Sequence, residues 1–180
     1  MPVVRDKDIE VLFSASTIAR RNLELAKAIA EREYKDLLVI SILKGSFVFA
    51  ADLIRAMHDT GLSPEVEFIF ISSYGTGTTS GEVRVLRDID NEVAGRDVLL
   101  VDDILESGKT LTFTRDLMLS RGAKSVSIAV LLDKHTKRQT ELDADFVGFE
   151  CPDYFVVGYG MDVAHAFREL PFVGVVKGDA

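Results

Sequence analysis

The chain has 180 residues, 47% of them hydrophobic and 28% charged, which fits one globular domain able to bury a sizeable core. A formal net charge of −8 argues against a general nucleic-acid binder, which would carry a basic face, yet a small anion can still be held by local N–H groups and lysines. No apolar run approaches the ~20 residues that span a bilayer, the N-terminal Met-Pro-Val-Val-Arg-Asp-Lys-Asp lacks the apolar stretch of a signal peptide, and the single Cys151 has no internal disulfide partner. These features predict a cytoplasmic chain with no membrane partner.

In chain order, Ser16 is predicted to cap a helix running to about Tyr34, with Ile18, Leu25 and Ile29 on one face. Leu37 to Leu43 reads as a buried strand. A second helix is predicted from near Ser46, carrying Phe47, Ala50, Ile54 and Met57 and stopping at Gly61. Val66 to Ser72 is a predicted strand, and Glu82 to Arg87 alternates charged and apolar residues like an exposed one. Between them, residues 73–81 hold three glycines and five Ser or Thr, a composition that cannot pack a core and reads as a long connection or a mobile lid. Further strands are predicted at 97–101, 125–132, 145–149, 154–159 and 172–176. Strands separated by helices early and short strands late predict an α/β fold, a mostly parallel twisted sheet flanked by helices with a small hood. Neither a repeat nor a Pro/Ser-rich linker divides the chain, so 1–180 reads as a single domain.

The most informative stretch is Val98-Leu-Leu-Val-Asp-Asp-Ile-Leu-Glu-Ser-Gly-Lys-Thr-Leu111. An apolar strand ends in Asp102 and Asp103. A loop with Glu106, Ser107, Gly108, Lys109 and Thr110 follows, and then helical sequence to Arg121 with a stop at Gly122. In open α/β sheets, ligands bind outside the carboxyl ends of strands, and free N–H groups in such a loop and at a helix start suit a phosphate. Carboxylates beside that pocket suit ribose hydroxyls or Mg²⁺. Gly108-Lys109-Thr110 matches the end of the nucleotide-binding P-loop, but the first glycine of that motif would fall on Asp103, whose charge would face the phosphates. The P-loop reading therefore fails. His58, His135 and His165 show no zinc-type spacing, no Gly-x-Ser-x-Gly elbow is present, and Cys151 reads as a structural thiol.

The strand–Asp-Asp–loop–helix segment resembles the phosphoribosyl pyrophosphate (PRPP) motif of type I phosphoribosyltransferases. Leu43-Lys44-Gly45-Ser46, Ser72-Ser73-Tyr74-Gly75, Leu131-Leu132-Asp133-Lys134 and Phe146-Val147-Gly148-Phe149-Glu150, running into Pro152-Asp153-Tyr154-Phe155-Val156-Val157-Gly158-Tyr159, follow in the order of the hypoxanthine-guanine branch. That resemblance covers the chain from about residue 10 onward. It implies Mg²⁺-dependent transfer of the phosphoribosyl group of PRPP to hypoxanthine and guanine, giving IMP or GMP and pyrophosphate, in purine salvage. Rival readings are an RNA-binding regulatory relative, which would need a basic face, and a nucleotide-sensing module, which would tolerate loss of the acids.

The resemblance also implies roles. The loop Glu106 to Thr110, with Ser107, Gly108, Lys109 and Thr110, would hold the 5′-phosphate. Asp102 and Asp103 would face the ribose hydroxyls, directly or through Mg²⁺. Glu106 would be the base near purine N7, and it departs from the family's aspartate by one methylene. Lys44-Gly45 resembles the pyrophosphate loop, in which the bond between the two can be cis. Lys134 would donate to the purine O6, which selects 6-oxopurines over adenine because lysine is a donor only. Phe155 would stack on the base, with the backbone of Val156 and Val157 reading its edge. Asp162 would be a further Mg²⁺ ligand and Arg168 a pyrophosphate contact. Ser73 and Tyr74 would open the lid, Gly160 is a position where preference at the purine 2-position could be set, and the family's habit implies a homodimer or homotetramer.

Overall fold

The computed structural model describes residues 6–74 and 82–178. Six strands form one sheet in the order β4-β3-β2-β5-β6-β7: β2 (Leu38–Leu43), β3 (Glu65–Tyr74), β4 (Glu82–Arg87), β5 (Asp97–Leu105), β6 (Ser125–Asp133) and β7 (Phe146–Glu150). All neighbours are parallel except the edge strand β4, which runs antiparallel to β3. The mostly parallel α/β sheet expected from the sequence is therefore observed.

Alternation along the central strands decides the layers, because successive side chains leave opposite faces. Val39, Leu99, Val101, Ala129 and Leu131 point to one side and pack with α1 (Ala15–Ala30) and α2 (Phe47–Asp59). Leu38, Ile40, Val98, Leu100, Ile128 and Val130 point to the other and meet Leu111 and Met118 of α3 (Lys109–Ser120). Both faces are covered, as a parallel sheet requires.

A second, antiparallel sheet in the order β1-β9-β8 forms the hood: β1 (Asp8–Phe13), β8 (Val156–Val157) and β9 (Val173–Lys177). Its first strand is not anticipated by the sequence reading, since Asp-Ile-Glu-Val-Leu-Phe pairs only with a segment some 160 residues away. The strand expected over 154–159 shrinks to two residues. Two hairpin bridges follow, Gly158 with Met161 and Val163 with Ala166. The first helix is capped by Ser14, whose side chain accepts from the Thr17 N–H at 3.2 Å, and it ends at Ala30; Ser16 lies inside its first turn. In α2, Phe49 and Leu53 centre the buried face with Ala50 and Met57, while Phe47 is exposed.

Candidate active site

The sheet order places β2 between β3 and β5, so the chain leaves β2 towards one side and returns on the other. That makes β2/β5 a topological switch point, where a crevice opens at the carboxyl ends. Gly45, just beyond β2, and Asp103 of β5 meet there: a Cβ on Gly45 would lie 2.1 Å from Asp103 Oδ2. The buried Ser46 braces the turn by donating to the Ile42 carbonyl, and its hydroxyl lies 2.9 Å from that of Ser41. The cis peptide bond at this place joins Leu43 to Lys44, one residue earlier than the Lys44–Gly45 bond implied by the resemblance.

β5 does not end at the acids, as the sequence reading has it. Its ladder with β6 continues through Asp102↔Val130 to Leu105↔Asp133 because β6 runs alongside for its whole length. The carboxylates turn back on their own strand, Asp102 Oδ1 accepting from the Asp103 N–H at 2.9 Å and Asp103 Oδ1 from the Ile104 N–H at 2.8 Å. Burial, then the adjacent Asp103 charge, push the Asp102 carboxyl well above the usual carboxylate range. A bound cation would reverse that, since it favours the ionised form.

Beyond β5, the carbonyls of Leu105, Glu106 and Ser107 all point to the 134–139 segment. They accept from the Lys134 N–H (2.9 Å), Arg138 Nε (3.0 Å) and the Gln139 N–H (2.8 Å). Arg138 is itself fixed by Asp133 and by the Leu142 carbonyl. With the carbonyls turned away, N–H groups of this loop and of the first turn of α3 are left for a ligand. Gly108 makes the bend at φ 85°, where a Cβ would also collide with Thr140 Oγ1 at 2.0 Å. A cavity of about 570 Å³ opens here, lined by Asp102, Asp103, Glu106, Ser107, Gly108 and Thr110. Lys109 is not part of that lining; its N–H faces Ser107 Oγ at 3.3 Å.

A second cavity of about 510 Å³ adjoins the first, and Asp103, Ile104, Glu106 and Lys137 line both. Lys134, only 6% exposed, lies in its wall. Its ammonium donates to the Tyr154 carbonyl at 2.5 Å and stands 3.9 Å from Glu106 Oε1, which leaves donor capacity for a ligand. Phe155 is 60% exposed and forms another wall with Val156. The backbone here belongs to β8, the edge of the hood sheet, so the groups facing away from β9 are free of the ladder. Sequence reasoning missed Lys137 and Asp153, whose charged groups lie 3.4 Å apart at the rim, with Lys137 4.0 Å from Glu106 Oε1. Asp153 stands within the block that carries the resemblance, which could have drawn attention to it, whereas Lys137 lies in no such pattern.

Asp162 lines the second cavity and pairs with Arg168 at 3.2 Å. Lys44, whose ammonium lies 5.4 Å over the Phe70 ring, and Arg168 line neither cavity; they border the site through Gly45 and Asp162. Gly160 packs on Gly45 and Val48 and does not line the second cavity either. Ser73 and Tyr74 pair with Val83 and Glu82 at the end of β3, and the rest of the expected lid, 75–81, lies outside the described residues. Among the described residues no three His, Cys, Asp or Glu side chains cluster as a metal cage. Hard carboxylate oxygens on two sides of a crevice nevertheless suit Mg²⁺, which takes one or two carboxylates and completes its shell with water and substrate phosphate. Cys151 is buried, and burial pushes its thiol up, in keeping with a structural rather than a nucleophilic role. Among the described residues no helix is long and apolar enough to cross a membrane.

Comparison with known proteins bears on the family and the fold. Residues 10–164 match the phosphoribosyl transferase domain. The chain is 48% identical to the hypoxanthine-guanine phosphoribosyltransferase of Bacillus subtilis over 174 residues, covering 94% of each. Among solved structures it resembles a hypoxanthine phosphoribosyltransferase from Staphylococcus aureus (TM-score 0.87, 38% identity, 93% of this chain and 91% of that one). It also resembles the Trypanosoma cruzi enzyme in complex with the product IMP (TM-score 0.84, 35% identity, 95% and 90%). The chain thus belongs to the phosphoribosyltransferase family, on its hypoxanthine-guanine branch.

Proposed function

We propose that the chain is a single-domain, Mg²⁺-dependent purine-salvage enzyme that transfers the 5-phosphoribosyl group of PRPP to hypoxanthine and guanine, giving IMP or GMP and pyrophosphate. The observation that carries this reading is the junction of two cavities at Asp103, Ile104 and Glu106, one bordered by a phosphate-type loop and the other by a buried lysine and an exposed phenylalanine. A substrate that is a sugar phosphate at one end and receives a planar base at the other fits that pairing.

In this reading the 5′-phosphate occupies the loop Ser107 to Thr110, and Asp102 and Asp103 bind the ribose hydroxyls. The base lies against Phe155, with its O6 on Lys134 and its edge on the Val156 backbone. Lys44, Gly45 and Arg168 contact the pyrophosphate. Asp102, Asp103 and Asp162 would hold Mg²⁺, which neutralises charge on the departing pyrophosphate. A bond forms between the purine nitrogen and C1 as the bond from C1 to pyrophosphate oxygen breaks, and the purine proton passes to Glu106. The carboxylate of Glu106 borders both cavities, where that proton would leave. Family resemblance supports a homodimer or homotetramer in the cytoplasm.

Incubation with PRPP and hypoxanthine or guanine, with product nucleotide resolved by chromatography, tests the reading. IMP and GMP should form with added Mg²⁺, stop on chelation, and resume on Mg²⁺ return. Unchanged turnover in excess chelator would remove the metal from the account.

A further inference from the structure

The turn before Asp162 rests on a buried polar cluster outside both cavities. Gly158 and Met161 exchange backbone hydrogen bonds of 3.0 Å, and the two residues between them, Tyr159 and Gly160, have φ of 51° and 95°. A tight hairpin turn with both central residues at positive φ suits glycine, and a bulky aromatic seldom takes that conformation. Tyr159 is buried, its ring in the core, and its hydroxyl donates to Asp52 of α2 while accepting from Asn22 Nδ2 of α1 at 2.9 Å. Among the described residues, the buried Asn22 Oδ1 has no hydrogen-bond partner, while its Nδ2 serves the tyrosine. Burial, then the Asp52 contact, raise the phenol pKa, and the hydroxyl stays a donor at neutral pH.

From Tyr159 the contacts run outward to two groups of the site. Gly160 lies so close to the loop after β2 that a Cβ on it would sit 2.8 Å from the Gly45 carbonyl oxygen. Arg168 Nη1 donates to the Gly160 carbonyl at 2.7 Å, the Gly160 N–H donates to the Arg168 carbonyl at 3.0 Å, and Arg168 pairs with Asp162. One turn therefore sets both Gly45 and the Asp162–Arg168 pair. We propose that Tyr159, held by Asp52 and Asn22, is a positioning residue for the pyrophosphate half of PRPP. The inference rests on the proposed function, which gives Gly45 and Arg168 their pyrophosphate contacts.

A buried tyrosine that merely satisfies its hydroxyl would affect stability alone. Steady-state kinetics of the full chain separate the two roles. Tyr159→Phe keeps the ring and should raise KM for PRPP, and for pyrophosphate in the reverse direction, roughly 3- to 10-fold, the order of one ordinary hydrogen bond's net contribution. KM for hypoxanthine should stay within about two-fold. Asp52→Ala should give the same selective rise from the other side of the contact, and it carries the test should Tyr159→Phe fold poorly. Unchanged KM values with a lowered melting temperature, or equal rises for PRPP and hypoxanthine, would overturn the proposal. A wild-type chain that does not turn over PRPP defeats the proposed function itself, a result visible before any variant is made.

Discussion

In the proposed reading, Lys134 and Glu106, which both line the second cavity, divide the work of the base pocket between a donor and an acceptor. The buried Lys134 donates to the Tyr154 carbonyl, pairs loosely with Glu106, and keeps donor capacity for a ligand. With Lys134→Met the purine oxygen would be buried without a partner, a loss on the order of 1–3 kcal/mol. Steady-state kinetics should show kcat/KM for hypoxanthine falling accordingly; unchanged constants would take Lys134 out of the site. Glu106→Gln keeps size but cannot accept a proton, so kcat should fall roughly 10²–10⁴-fold with little change in PRPP affinity. Near-normal turnover in that variant would move the base elsewhere. At this scale Lys134 was legible because it follows an apolar run and sits in a family motif. The pairing of Lys137 with Asp153 was not, since Lys137 lies outside every such motif and the two meet only in the folded chain.

Elements were legible where local pattern decides them and were displaced where distant partners do. The buried strands 38–43 and 98–101 match their apolar runs, and α2 begins and ends close to its expected signals at Ser46 and Gly61. β5 outran its apolar run because β6 offers a ladder partner through Asp133. β1 escaped notice because its pairing is with the last strand. The start of β5 carries a testable charge: Asp97 is buried and accepts from Ser125 Oγ and the Lys35 N–H, both at 2.7 Å. The Ser125 bond, more than the Lys35 one, holds its carboxyl below the usual range despite burial. A depressed folded-state value stabilises the fold above the unfolded carboxylate range, near 3.9, and that contribution is lost as pH falls through the folded value. Asp97→Asn should therefore lower stability at pH 7, by about 1–3 kcal/mol, and the gap to wild type should close as pH drops below about 4. Denaturant melts at pH 7, 5 and 3 measure this; a gap that is the same at all three would exclude the ionised form as its source.

Across the whole molecule, one geometric fact organises the chemistry. The switch point between β2 and β5 brings Gly45 against Asp103, and Phe155 and Asp162, from the hood segment, line the cavity that Asp103 borders. A doubly covered parallel sheet was legible from strands separated by helices. The closeness of the hood was not, because it is made by tight turns at positive φ, at Tyr159, Ala164 and His165, that no propensity favours. In the proposed reading this pocket selects a 6-oxo group through the donor-only Lys134. The most direct test of that selection is the ratio of kcat/KM for hypoxanthine to that for adenine, measured with PRPP and Mg²⁺ under identical conditions. The ratio should be on the order of 10⁴ or more, because adenine would set a donor against a donor at Lys134. Comparable values for the two bases would contradict it.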